Sequence, residues 1–157
     1  MIQLYPYQNT LVEKVNSAWQ TARAVLMVLG TGGGKTIIFA WLMRRHTGAA
    51  IAVVHRNEIV AQISKSLALL GVKHRGVAKA EVVRLIRRKH LKDFGKSFVD
   101  DQSLVGVASV QTLTSASSLR NATLQRWLKQ VRLAVFDEGH HYVEAGVWSK
   151  AVHMFDQ

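Results

Sequence analysis

The sequence predicts an α/β protein whose mostly parallel sheet is sandwiched by helices, and three observations favour this fold class. Short apolar runs that suit buried strands alternate with longer stretches of helical spacing. Clustered glycines follow the first apolar run at residues 30–34, and the carboxylates Asp137 and Glu138 follow the last one. Ligand groups of parallel sheets lie beyond the carboxyl ends of the strands, which is where both groups fall.

The N-terminal half is predicted to contain two helices and two strands. Apolar residues recur at helical spacing over residues 8–20, and six consecutive apolar residues at 24–29 predict a buried strand. Residues 36–46 predict a helix that is apolar nearly all round and ends in basic residues before Gly48. Residues 49–54 predict a second buried strand.

The C-terminal half repeats this alternation. A helix is predicted from Ile59 to Leu70, a third strand at 104–110, a helix at 117–130 and a fourth strand at 133–136. The chain has no internal repeat, low-complexity tract or linker, so its 157 residues are expected to form one domain.

Composition restricts the partners and the compartment. A net charge of +11 favours a polyanionic partner, with nucleic acid as the first candidate. The chain has no cysteine, which excludes disulfides and thiol catalysis and agrees with a cytoplasmic protein. No apolar run is long enough for a membrane span and no signal-peptide pattern precedes the first helix, so we expect no membrane partner.

The stretch AVLMVLGTGGGKT has the order strand, phosphate loop, helix. Its loop amides and the following helix N-terminus can bind phosphate oxygens of ATP, Lys35 can reach the β- and γ-phosphates, and Thr36 can ligate Mg²⁺. One departure from the usual spacing is Leu29, which stands where a small residue is common. The predicted nucleotide-binding residues of the loop are Gly30, Thr31, Gly32, Gly33, Gly34, Lys35 and Thr36.

Opposite a phosphate loop, an Asp-Glu pair after a strand suits nucleotide hydrolysis. Asp137 is predicted to hold Mg²⁺ and Glu138 to orient or deprotonate the attacking water. Alone the dipeptide would be a weak signal, and the loop is what makes it a strong one.

Asp137-Glu138-Gly139-His140 resembles the DExH box of superfamily 2 helicases and translocases, and GTGGGKT resembles their first motif. Three further stretches resemble motifs of the same family in the same order. They are the Tyr-Gln element that ends at Gln8, a motif Ia that includes His55 and Arg56, and a motif Ib that includes Ser109, Gln111 and Thr112.

This resemblance implies a RecA-like lobe that binds MgATP, with Gln8 reading adenine and His140 coupling nucleotide state to nucleic acid. Motifs Ia and Ib would contact the backbone of DNA or RNA. It also implies that residues 1–157 are only the first of two lobes. The second RecA-like lobe would come from downstream sequence or a partner, and this chain alone would hydrolyse ATP slowly or not at all.

The resemblance implies one further gap. In such lobes, the strand that follows the DExH box lies between the phosphate-loop strand and the DExH strand. We therefore expect an incomplete sheet and low stability, because unpaired strand edges expose amides and carbonyls.

Several alternatives remain open. The nine Lys or Arg of residues 73–96 are either a solvated charged face or a surface for phosphate backbone. The lobe could unwind nucleic acid, pull duplex without separating its strands, or be a non-enzymatic basic binding module. His140, His141 and Glu144 lack further ligands at zinc-like spacing, and His141 is assigned a structural role. Core packing explains the four tryptophans, Trp19, Trp41, Trp127 and Trp148, better than base stacking.

Overall fold

The computed structural model describes residues 3–30, 32–137 and 147–155, and it confirms the α/β class. Within these residues the sheet has four strands, all parallel: β1 (Ala49–Val54), β2 (Arg75–Val77), β3 (Val105–Ser109) and β4 (Val131–Phe136). The spatial order is β2-β3-β1-β4, so β1 and β3 are central. The short strand β2 has no counterpart among the predicted elements.

Eight helices connect or flank these strands within the described residues. None of them is long and apolar enough to cross a bilayer. They are α1 (Pro6–Ala18), α2 (Lys35–Arg45), α3 (Asn57–Leu69), α4 (Ala80–Phe94), α5 (Val110–Leu113), α6 (Ala116–Arg120), α7 (Ala122–Leu128) and α8 (Val147–His153).

The central strand β1 is buried on both faces. Ala50, Ala52 and Val54 pack into a cluster with residues of α2, α3 and α4. On the other face, Ile51 and Val53 pack into a second cluster with residues of α5 and α7. Because successive side chains of a strand point to opposite faces, this fully apolar run requires helices on both sides, as the fold class predicts.

The predicted strand at residues 24–29 is wrong. The segment belongs to no strand, and Leu26 and Val28 are 78% and 81% exposed. The alternate residues Val25, Met27 and Leu29 pack against a cluster formed by α1 and α2. The segment therefore keeps the two-residue alternation of a strand, but its backbone has no ladder partner in the described part of the chain.

β4 lies at an edge of the sheet. It pairs with β1, and no described strand pairs with its other side. This is the edge at which the family resemblance implies a missing strand. Its last three residues are only half-buried, whereas all six residues of β1 are buried.

The single helix predicted at residues 117–130 is divided in two. Asn121 has extended backbone angles (φ −78°, ψ 99°), and its side-chain oxygen accepts a hydrogen bond from the backbone N–H of Leu124 at 2.9 Å. Asparagine favours such N-cap positions over helix interiors, because its side chain competes for backbone donors.

The structure agrees with core packing for three of the four tryptophans. Trp127 is 3% exposed and stacks over Gly106, where a side chain would collide with its ring. Trp19 and Trp41 are partly buried against apolar clusters. The side chain of Trp148 lies outside the description.

Candidate nucleotide and nucleic-acid site

The phosphate loop ends in a glycine-dependent turn. Gly32 and Gly34 have φ of 81° and 78°, a region that side-chain-bearing residues rarely adopt. Gly34 is the N-cap of α2, and its carbonyl accepts the backbone N–H groups of Ile37 and Ile38 at 3.2 Å each. The turn leads directly into the first turn of a helix, the arrangement that presents amides to an anion.

Two side chains of α1 hold this loop. The Tyr7 hydroxyl and the Gln8 amide nitrogen each donate to the carbonyl of Gly33 at 3.2 Å. The Gln8 amide oxygen accepts the backbone N–H of Tyr5 at 3.0 Å, and Gln8 is only 3% exposed. Both ends of the Gln8 amide are therefore engaged within the protein, and its contact with adenine stays a prediction.

The role of Tyr7 at the loop was not predicted. The signal available in the sequence is its place beside Gln8 at the start of the N-terminal helix. The packing around Gln8 also explains the small residue at position 34. A Cβ there would lie 2.5 Å from the Gln8 amide nitrogen.

Lys35 and Thr36 occupy the first turn of α2 and are partly buried. The three residues 46–48 connect the end of α2 to the start of β1, so the helix runs back along the sheet. Its N-terminus therefore points toward the carboxyl ends of the strands, where Asp137 also lies. Thr31, Glu138 and His140 fall outside the described residues.

Asp137 directly follows β4, and its backbone N–H donates to the Val53 carbonyl at 3.2 Å. This bond extends the pairing of β4 with β1 and fixes the position of the Asp137 backbone. Because Val53 is one residue before the end of β1, Asp137 lies one strand away from the residues that follow β1.

The predicted motif Ia and Ib residues come together at the same edge. The Gln111 amide nitrogen lies 2.9 Å from Nδ1 of His55, across the neighbouring strands β1 and β3. Arg56 is exposed at the N-cap of α3. Ser109 is only 2% exposed; its hydroxyl donates to the Thr112 hydroxyl at 2.9 Å and accepts the Thr112 backbone N–H. Ser109 therefore caps α5.

A buried polar chain that was not predicted fixes α4 against α3. Ser64 Oγ lies 2.6 Å from Nε2 of His74 and 3.3 Å from Nε2 of His90, and all three residues are at most 1% exposed. His74 Nδ1 lies 2.9 Å from the Val72 carbonyl, and the Phe98 backbone N–H donates to His90 Nδ1 at 3.3 Å.

The hydrogen-bond partners determine which ring nitrogens of His74 and His90 carry a proton. Since a carbonyl only accepts, His74 must donate from Nδ1 and accept the Ser64 hydroxyl proton at Nε2. Since His90 Nδ1 accepts from Phe98, His90 Nε2 must donate to Ser64. Every group is satisfied only when both imidazoles are neutral. Burial lowers the pKa of His74 to about 4 and also lowers the pKa of His90.

The parallel sheet, the glycine loop at the start of α2 and the carboxylate after β4 are the features expected of a phosphate-loop α/β lobe. Comparison with protein families gives the class, an N-terminal RecA-like lobe of superfamily 2 helicases. Residues 1–157 match the family described as Type III restriction enzyme, res subunit, and the chain belongs to it. The family is one of ATP-dependent motor domains of the helicase and translocase type. No curated protein matches the chain.

Proposed function

We propose that the chain binds MgATP between the phosphate loop and Asp137, as the nucleotide-binding lobe of a nucleic-acid motor. The observation that carries this proposal is the left-handed glycine turn at Gly32 and Gly34, which opens α2 at the carboxyl edge of the sheet. Such a turn presents its backbone amides to phosphate oxygens, and a lysine follows it immediately.

The residues present fit a nucleotide with its metal. Thr36 and Asp137 offer a hydroxyl and a carboxylate, the oxygen donors that Mg²⁺ prefers. When bound, Mg²⁺ would neutralise charge on the phosphates. Lys35 would neutralise the β- and γ-phosphates, Glu138 would orient the attacking water, and His140 would couple the site to nucleic acid.

We propose that nucleic-acid backbone crosses the motif face, which we define as His55, Arg56, Ser109, Gln111 and Thr112. The contact between His55 and Gln111 supports it, because it joins the two motifs into one surface. The exposed guanidinium of Arg56 supplies a cation there. The buried Ser109 acts indirectly, by orienting Thr112.

The family name refers to a restriction enzyme, which favours DNA as the polymer and translocation along duplex without unwinding. A strand-displacement assay beside a triplex-displacement assay separates the two activities. Triplex displacement without strand displacement is the result expected of a duplex translocase. The opposite result supports a helicase.

We further propose that a second RecA-like lobe completes the ATP site. No described strand pairs with the outer edge of β4, which supports the view that further chain completes this lobe. Since an arginine from another element is typically worth about 10³ to 10⁵ in rate, the 157 residues alone are expected to turn over ATP far below about 1 per second, the lower end of ordinary enzyme rates.

The nucleotide site is tested by Lys35→Ala, with Lys14→Ala as the matched control. Both variants remove one lysine charge, but Lys14 is exposed on α1 and away from the loop. We expect Lys35→Ala to abolish binding of a fluorescent ATP analogue in the presence of Mg²⁺, while Lys14→Ala binds as the wild type does. Equal binding by all three proteins would refute the site.

A further inference from the structure

α4 carries an exposed row of cations that lies outside the motif face. We propose that Arg84, Arg88 and Lys92, here termed the cationic stripe, form a second phosphate-backbone contact that extends the nucleic-acid path beyond the motif face. The inference rests on the proposed binding of nucleic acid. The sequence of this basic segment does not show which cations contact a partner and which are only solvated, and the structure distinguishes these three.

The structure divides the nine cations of residues 73–96 into two groups. Four have structural partners: Lys73 pairs with Asp100 at 3.5 Å, Arg75 donates to the Ser103 carbonyl, Arg87 donates to the Val99 carbonyl and pairs with Asp101, and Lys96 lies over the Phe98 ring. The side chains of the other five make no ion pair or hydrogen bond with any described residue. They are Lys79, Arg84, Arg88, Lys89 and Lys92.

Three of these five form a line along the helix. Arg84, Arg88 and Lys92 are four residues apart, and all three are exposed. At a rise of about 1.5 Å per residue, successive members are about 6 Å apart along the axis. A shallow surface depression of about 350 Å³ is lined by Arg84 and Arg88 together with Leu85 and the carboxylate of Glu81. The stripe therefore offers a row of charges that matches a line of phosphates.

The opposite side of α4 prevents the helix from rotating. Ile86 is 3% exposed in the apolar cluster beneath the helix, and His90 is held in the buried chain through Ser64. Arg87 is tied to the Val99 carbonyl on the following segment. These contacts hold the stripe toward solvent.

The helix that carries the stripe begins near the motif face, and Arg84 lies about one turn after its start. Val77, the last residue of β2, pairs with Ala108, the residue before Ser109. Adjacent strands are about 4.8 Å apart, so the chain enters α4 at the height of motif Ib. β2 is the edge strand on that side, and β4 with Asp137 is the edge strand on the other. We infer that a strand of nucleic acid that leaves the motif face on the side away from β4 would pass α4.

Acidic groups do not cancel this charge. Asp93 pairs with Lys65 at 3.1 Å. Glu81 is exposed in the first turn of α4, where a carboxylate stabilises the helix dipole, and it faces Arg84 from one turn away. The stripe keeps a net positive charge beyond this first turn.

The test compares two triple variants of the 157-residue chain that change net charge equally. One is Arg84→Gln/Arg88→Gln/Lys92→Gln. The control neutralises three exposed cations next to the opposite face of the sheet, with the substitutions Arg120→Gln, Arg126→Gln and Lys129→Gln. Binding of a 20-base-pair duplex is measured by fluorescence anisotropy at several salt concentrations, and circular dichroism verifies folding.

Because each phosphate contact contributes about 0.9 to the slope of log affinity against log salt, loss of the stripe should reduce that slope by about 2 to 3. The control triple should keep the wild-type slope. The charge-retaining variant Arg84→Lys/Arg88→Lys/Lys92→Arg should restore it, which shows that charge and not helix packing is responsible.

The two proposals fail in different ways. If Arg56→Gln weakens binding but the stripe triple behaves as the control triple does, the stripe is a solvated face and this inference is wrong. If the wild type binds no duplex at any salt concentration, both the stripe and the motif face are refuted.

Discussion

Residues 24–29 and 49–54 are both runs of six apolar residues, but only the second is a strand. AAIAVV forms β1 with a parallel partner on each side, and all six residues are buried. AVLMVL has no ladder partner in the described residues, and Leu26 and Val28 are mostly exposed. An apolar run becomes a buried strand only where other strands and helices cover it on every side.

The difference follows from what lies beside each run. β1 is placed between β3 and β4, so both rows of its backbone groups are paired. Among the described residues, the cluster of α1 and α2 covers Val25, Met27 and Leu29, and Met27 also packs against the main core cluster. The β4 edge, which a further strand could bridge to this segment, is unpaired in the described chain. Residues 24–29 thus have the alternating burial of a strand, but no neighbouring strand pairs with them in the described chain.

The largest effect on stability is expected from a substitution that creates a cavity at β1. Ile51 is fully buried in the centre of the sheet, so Ile51→Ala should lower the free energy of unfolding by about 2 to 5 kcal/mol. Urea denaturation monitored by circular dichroism measures this change. Leu69→Ala, on the exposed side of α3, serves as the control, since Leu69 is 46% exposed. Similar losses for the two variants would mean that Ile51 is not in a packed core.

Low pH should destabilise the fold through the buried hydrogen-bonded side chains of His74, Ser64 and His90, which connect α4 to α3. The pKa of His74 is about 4 in the folded protein against 6.5 when exposed, so the unfolded chain takes up the proton first as pH falls. The contribution of His74 to the free energy of unfolding is fully present above about pH 6.5. It decreases as the pH falls toward 4, by about 3 kcal/mol in total. The pKa of His90 is also lowered by burial, despite the nearby Asp93, and adds in the same direction.

Urea titrations at pH 7.0, 5.5 and 4.5 test this dependence. His74→Gln removes the titrating group, so the difference in unfolding free energy between wild type and variant should shrink as pH falls. A difference that stays constant over this range would show that His74 is not held neutral. His46 also has a pKa lowered by burial, but it remains in both proteins and cancels in the comparison.

The comparison also shows what the sequence predicts well. The bounds of β1 were predicted to the residue, because its apolar pattern and its neighbours agree. β2 was missed, because it has three residues and only Val77 is a strong strand former. The chain through Ser64 joins residues 10 and 26 positions apart, so only the packing of α4 on α3 reveals it.

The candidate site likewise has features that the sequence predicts and features that it does not. The sequence correctly predicts a glycine turn before α2, because residues with a Cβ rarely adopt the left-handed angles found at Gly32 and Gly34. The hydrogen bond from Tyr7 to Gly33 is a tertiary contact, which no spacing encodes. The cap of Ser109 on Thr112 is local, and what the spacing does not show is that Ser109 is buried. The ATP and nucleic-acid contacts of these residues stay predictions.

The smallest effect is expected on the exposed side of the unpaired run. Leu26→Lys with Val28→Lys should change the free energy of unfolding by less than about 0.5 kcal/mol, since these side chains gain little from burial. Urea denaturation against the wild type measures it. Val25→Lys with Met27→Lys places the same charges against α1 and α2 and should destabilise clearly. A loss above about 1 kcal/mol for the first pair would mean that another element covers Leu26 and Val28.

Hydrogen exchange of the backbone amides tests the central claim, that residues 24–29 have the pattern of a strand but not its pairing. Exchange followed by mass spectrometry compares peptides that cover residues 24–29 and 49–54 of the 157-residue chain. We expect the amides of 49–54 to exchange at least about 10³-fold more slowly, because they open only with the core of the sheet. Equal protection of the two segments would contradict the claim and would place residues 24–29 in a paired strand.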